Sequence, residues 1–189
     1  MRPEVVRIDD SLPAVRFRLE AAPSEFSRRL KSVVEEEDSP RHEFRRRFWE
    51  SMLQYLASNG HPWAKGRATT KDSWISSSVG RSGVGVNISM AQGSRLRVEI
   101  YLANDPEKVL FDRLFADKAA VEARFPEETV SWERLDDAAA SRVAVYRPYD
   151  KQFASEDTPH RRELFAWIAK QLGTFRAVAK ELLVDRQDA

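Results

Sequence analysis

A chain of 189 residues with 42% hydrophobic and 32% charged side chains is long enough for one main domain with a sizeable core, or one domain plus a short appendage. Cysteine is absent, which excludes disulfides, thiolate nucleophiles and Cys-ligated zinc; no apolar run comes near the roughly 18 residues of a spanning helix, so a cytoplasmic protein without a membrane partner is expected. The formal net charge of +1 predicts no particular partner, yet residues 41–103 carry ten Lys or Arg against four Asp or Glu, and residues 104–140 carry five against ten.

In chain order, VVRI and AVRFRLE read as two β-like runs around Asp9-Asp10-Ser11-Leu12-Pro13, and Ala21-Ala22-Pro23-Ser24 starts a short helix to about Val34. The acidic run Glu35-Glu36-Glu37-Asp38 reads as a solvated joint, because consecutive like charges repel and cannot all be covered. The expected boundary falls there, with a β/helix appendage and linker over residues 1–38 and a main domain over 39–189. Ser39-Pro40 has the form of an N-cap followed by proline, and Phe44, Phe48, Met52 and Leu56 recur every four residues to a stop near Asn59-Gly60. The other face of that helix carries Arg45, Arg46 and Glu50, with Arg47 near its edge, and the following loop holds Trp63, Lys65, Arg67 and Lys71.

Residues 74–104 then read as three antiparallel strands joined by Gly80-Arg81-Ser82-Gly83 and Gln92-Gly93-Ser94. Val84, Val86, Ile88 and Met90, and then Leu96, Val98, Ile100 and Leu102, point to the core; Gly85, Asn87, Ser89 and Ala91, and then Arg95, Arg97, Glu99 and Tyr101, point the other way. Asn104-Asp105-Pro106 opens a second helix with Leu110, Leu114, Val121 and Phe125, stopped by Pro126. Strands over 129–135 and 142–147 follow, and Thr158-Pro159 starts a helix striped by Leu164, Ile168, Leu172, Phe175, Ala179 and Leu182. The expected fold is α+β, a mainly antiparallel five-stranded sheet with three amphipathic helices in the order α-β-β-β-α-β-β-α.

Val79-Gly80-Arg81-Ser82-Gly83, Arg97-Val98-Glu99-Ile100-Tyr101, Leu110-Phe111-Asp112, Trp132-Glu133-Arg134-Leu135 and Ser141-Arg142-Val143, as an ordered set, resemble the prokaryotic domain of unknown function 4268 family over about residues 40–183. The resemblance implies a context and no activity: such domains often follow a PD-(D/E)XK nuclease-like module in defence or repair proteins, and residues 7–23 look like the tail of one. The element order is itself similar to the core of those nucleases, which leaves a degenerate version of that core open. A metal-dependent site there needs clustered carboxylates to hold Mg²⁺, with a Lys two residues beyond the last of them. Glu99 stands at the motif's acid and Glu50 is a further candidate ligand, but Tyr101 occupies the Lys position and Asn87 stands where an aspartate is wanted. The competing reading pairs Glu99 with Arg97, Arg142 or Arg81 across a polar sheet face, and it is the one favoured. No catalytic residue and no cofactor are expected; Mg²⁺ enters only with the nuclease alternative.

His42, His61 and His160 show no metal spacing and read as surface or loop residues. Trp63, Trp74, Trp132 and Trp167 are able to stack bases, although tryptophans in a domain this size are more often core. The basic half is the best functional clue. It points to a non-catalytic module binding DNA or RNA through Arg81, Arg97, Arg142 and Lys71, with Arg45 and Arg46 adding field. The alternative is a protein–protein interaction or homo-oligomerisation module, or a partner of an N-terminal nuclease-like module. The two readings separate on one feature: nucleic-acid binding wants Arg97 and Arg142 unpaired, whereas an interaction module has them consumed by Glu99 and Glu133.

Overall fold

Strand alternation decides the architecture, because every strand of the main sheet has one apolar and one polar face and only the apolar face gains by being covered. The computed structural model describes residues 2–6, 14–18, 40–150 and 158–184; the helix expected over 21–34, the acidic joint and the Ser39 cap lie outside them. The chain divides into two units, residues 1–39 and 40–189. In the first, β1 (Arg2–Val6) pairs antiparallel with β2 (Ala14–Arg18), with Val5 opposite Val15.

In the second unit, α1 (Pro40–Ser58) buries Phe48, Met52 and Leu56 as its spacing requires, and Trp49 and Leu53 widen the stripe. The Trp49 indole N–H donates to the Asp72 carbonyl at 2.9 Å and the Thr69 hydroxyl to the Arg46 carbonyl at 3.0 Å, so the loop before the sheet is tied along this helix. The sheet is built from β3 (Trp74–Ser78), β4 (Val84–Ala91), β5 (Arg95–Leu102), β6 (Ser131–Glu133) and β7 (Ser141–Pro148), in the order β3-β4-β5-β7-β6. All four pairings are antiparallel. In the β4–β5 turn Gly93 and Ser94 both have positive φ, at 72° and 52°, which matches the right-handed strand twist.

The second predicted helix is displaced and divided. It opens at Val109, beyond Asn104-Asp105-Pro106, giving α2 (Val109–Ala116) and α3 (Lys118–Glu122) with Asp117 between them. The Asp105 carboxylate still caps it, accepting from the Leu110 and Phe111 amides at 3.0–3.1 Å, while Lys108 turns the chain at φ 60°. Buried Lys108 then donates from Nζ to the carbonyls of Leu135, Ala138 and Ala140 at 2.6–3.0 Å, satisfying the loop between β6 and β7. That loop cuts β6 to three residues, shorter than the predicted strand. The last helix, α4 (Pro159–Leu183), starts as predicted: the Thr158 hydroxyl accepts from the Arg161 amide at 3.2 Å and Pro159 is the first helical residue.

Phe48 packs on Phe165 of α4 at 5.5 Å, Phe111 of α2 on Trp132 at 6.1 Å and Phe125 on Phe175 at 4.5 Å, so the helices share one core with Val86, Ile88, Val98, Ile100, Val143 and Val145. These contacts place α1, α2 and α4 on one side of the sheet and leave its polar side uncovered by any of them.

Candidate binding face

The uncovered face is read directly from the register. Trp74 and Ser76 of β3 stand opposite Ser89 and Asn87 of β4; Asn87 and Ser89 stand opposite Glu99 and Arg97 of β5; Tyr101, Glu99 and Arg97 stand opposite Arg142, Ala144 and Tyr146 of β7; and Glu133 of β6 closes the row against Arg142. At the centre Glu99 is only 1% exposed. Its carboxylate meets Arg97 Nε at 2.9 Å and Arg142 at 3.5 Å and accepts from the Ser89 hydroxyl at 3.1 Å. Arg142 also reaches Glu133 at 3.3 Å, and Glu133 accepts from the Tyr146 hydroxyl at 2.5 Å and the Ser131 hydroxyl at 3.2 Å. Arg97 and Arg95 lie over the Tyr146 ring at 5.9 and 4.8 Å, and Arg142 over Tyr101 at 5.8 Å.

Burial sets the electrostatics of this network. It pushes the Glu99 carboxyl above the ordinary glutamate value, with Arg97, Arg142 and the Ser89 hydroxyl opposing. Burial also works against the Arg97 charge, but Glu99 and Tyr146 outweigh it and hold that guanidinium more firmly protonated than usual. The Tyr146 phenol is raised by burial and by its neighbour Glu133.

Toward β3 the face opens into a cleft of about 820 Å³, lined among others by Arg67, Trp74, Ser76, Arg81, Asn87 and Glu99. Gly85 shapes its floor: a β-carbon there would stand 2.7 Å from the Ser76 hydroxyl and 3.2 Å from Asn87 Oδ1. Arg67 donates to the Ser76 carbonyl at 2.5 Å and lies over Trp63 at 5.3 Å, and Arg81 donates to the Leu183 carbonyl at the end of α4.

Of the six basic residues predicted as a binding set, Arg81, Arg97 and Arg142 meet in this cleft. Arg97 and Arg142 are spent on Glu99 and Glu133 and are only 19% exposed at their side chains. Arg45 and Arg46 ride on α1, across the sheet from the cleft; Arg45 donates to the Lys71 carbonyl at 3.1 Å, and Lys71 itself lies in the exposed loop. The two nuclease candidates do not converge. Glu50 is exposed on α1 in a hollow with Leu53, Lys65 and Thr69, whereas Glu99 lies on the opposite face against arginine. Among the described residues no group of three or more His, Asp and Glu side chains is placed to hold a metal ion.

His61 corrects the surface reading for that histidine: it is buried against α4, its ring 3.7 Å from where a Gly173 β-carbon would stand. Burial lowers its pKa, a hydrogen bond with the Ala169 backbone opposes, and the Arg176 charge adds to the lowering. Sequence reasoning also underweighted Asn87, read as a missing aspartate, and gave no role to Ser76 or Gly85. The usable signal was the alternation Trp74, Ser76, Ser78, which puts all three on the polar face beside Asn87.

A family model described as a domain of unknown function, DUF4268, matches residues 44–183. No curated protein and no solved structure matches the chain.

Proposed function

The chain belongs to the domain of unknown function 4268 family, and because that description carries no activity we propose, from the surface itself, that the domain is a non-catalytic module binding single-stranded nucleic acid on the uncovered sheet face. One observation carries the reading: beyond Arg97 and Arg142, which Glu99 and Glu133 hold, Arg67, Arg81 and Arg95 stand on or at the rim of this face, beside a Trp74 that is 50% exposed. Excess positive charge attracts phosphate without regard to sequence, and an exposed aromatic supplies a stacking platform for a base. The network divides the labour among the arginines. Arg97 and Arg142 hold the floor, while Arg67, Arg81 and Arg95 make the phosphate contacts, with Lys71, Arg45 and Arg46 contributing field.

Fluorescence anisotropy of labelled single- and double-stranded DNA and RNA at low and physiological salt tests this reading. Micromolar binding to single strands that falls with salt is expected, and Arg81→Ala with Arg95→Ala should lower the slope of log K against log salt by about one per lost contact. No binding to any of the four at low salt would sink it.

A protein–protein interaction module is the second reading, and two observations favour it. Arg97 and Arg142 are consumed by Glu99 and Glu133, and Val109 and Phe115 are exposed toward the two ends of α2 and Leu135 just beyond β6. The Asp112–Arg134 ion pair and the Lys108 bond to the Leu135 carbonyl tie the α2 region to the chain just beyond β6.

A further inference from the structure

Asn87 lies on the cleft floor at 6% exposure, and its side-chain oxygen is fully enclosed without a hydrogen-bond partner. An unpaired buried amide oxygen is costly, and most such groups in folded proteins are paired, so one facing a cleft calls for an occupant. No hydrogen bond joins that oxygen to Ser76 or Glu99, the residues that stand opposite Asn87 on β3 and β5. The Glu99 carboxylate opposite it is taken by Arg97, Arg142 and Ser89. Across β3, Trp74 pairs with Ser89 and Ser76 with Asn87, which makes Trp74 the diagonal neighbour of Asn87, about 7 Å away. That separation suits a planar ring lying on the indole with one edge at the amide. Gly85 keeps the floor open there, since a side chain at that position would crowd Ser76 and Asn87.

We propose that this part of the cleft is a single-base pocket, in which a nucleobase stacks on Trp74 and Asn87 reads its hydrogen-bonding edge. The inference rests on the nucleic-acid reading of the face and adds selectivity to it. The asparagine amide offers both an acceptor and donors, and its terminal torsion is soft, so a small rotation turns Oδ1 from the enclosed floor to an incoming N–H. A base is favoured over an uncharged ring because Arg67 and Arg81 line the cleft in addition to Arg97 and Arg142, which Glu99 and Glu133 hold, and the phosphates flanking a nucleotide supply the complementary charge.

The test uses the full chain and four labelled oligomers of equal length at low salt: oligo(dA), oligo(dC), oligo(dT) and an abasic deoxyribose-phosphate strand. The wild type is expected to rank the three base-bearing strands over at least about a tenfold range, as one amide read against a base edge provides. Asn87→Ala and Asn87→Leu should flatten that ranking while leaving abasic binding unchanged. Trp74→Ala should weaken all three base-bearing strands by about tenfold and spare the abasic one. Both Asn87 variants should melt no lower than the wild type, because they remove an unpaired polar group; a lower melting temperature assigns Asn87 to the fold and overturns the proposal. Equal binding of the abasic and base-bearing strands, or a ranking that survives Asn87→Ala, overturns the pocket and leaves the basic face standing. Absence of binding to all four overturns the face as well.

Discussion

Glu99 is the residue on which the polar face turns. In the strand sequence it is one polar position among four; in the sheet it is enclosed by Arg97, Arg142 and Ser89. Because burial raises its pKa in the folded chain, the folded state binds the Glu99 proton more tightly than the unfolded one. The stability it contributes is therefore complete below the ordinary value of 4.5 and is lost as pH rises through the higher folded value. Urea unfolding of the wild type and Glu99→Gln across that window should show the wild type's advantage narrowing as pH rises. A widening gap would mean that the two arginines dominate and hold the carboxylate ionised. Arg97→Ala is expected to act mainly on stability by leaving Glu99 short of a partner, so it is a poor probe of phosphate contact, and Arg81 and Arg95 are the better ones.

At the scale of elements, the outer strand β3 shows how side chains from elsewhere complete a sheet. An edge strand presents unpaired carbonyls, and here two are met by arginines: Arg67 donates to Ser76, and Arg176 of α4 to Ser78 at 2.8 Å and to the Ser77 hydroxyl. Burial lowers the pKa of Arg176, so its charge sits there at some cost and its hydrogen bonds must offset it. Arg176→Met should lower stability by about 1–2 kcal/mol in urea unfolding, and Arg176→Lys by less, since it keeps the charge and loses the fork. An unchanged midpoint in Arg176→Met would show that β3 needs no such closure. The elements themselves were largely legible from periodicity and caps: α1, β4, β5 and α4 lie where apolar spacing puts them, with Thr158-Pro159 opening the last helix. The start of α2 was not, because Asp105 caps it across a turn made by Lys108, and a lysine with positive φ held by three carbonyls of a distant loop leaves no local signal.

For the whole molecule, the charge division between residues 41–103 and 104–140 does not survive as two bare surfaces. The acidic segment is laced with pairs such as Asp112–Arg134, Glu122–Lys118 and Glu127–Lys170, and the basic one is split between the sheet face and α1 across the sheet. Among the described residues of the second unit, the helices leave uncovered the polar sheet face, and the apolar side chains of Val109, Phe115 and Leu135 are exposed. If that apolar surface joins copies of the chain, sedimentation equilibrium should find a concentration-dependent dimer that Phe115→Glu abolishes. A chain monomeric at high micromolar concentration would remove self-association and leave the nucleic-acid face as the reading to pursue.

Alternation, capping residues and turn glycines determined without help that this is an α+β chain with a five-stranded antiparallel sheet, and which half of each strand is core, because those preferences act over a few residues. The ordered set of short segments likewise carried family membership. Tertiary structure decided which charges are spent and which remain available. Glu99, Arg97, Arg142 and Glu133 come from three strands, and only the register β4-β5-β7-β6 sets them side by side; the pairing of β3 with β4 sets Asn87, whose side-chain oxygen has no hydrogen-bond partner, diagonal to Trp74. Whether an arginine binds a phosphate or a neighbouring glutamate depends on distances of a few ångströms between residues far apart in the chain, and no local preference encodes those.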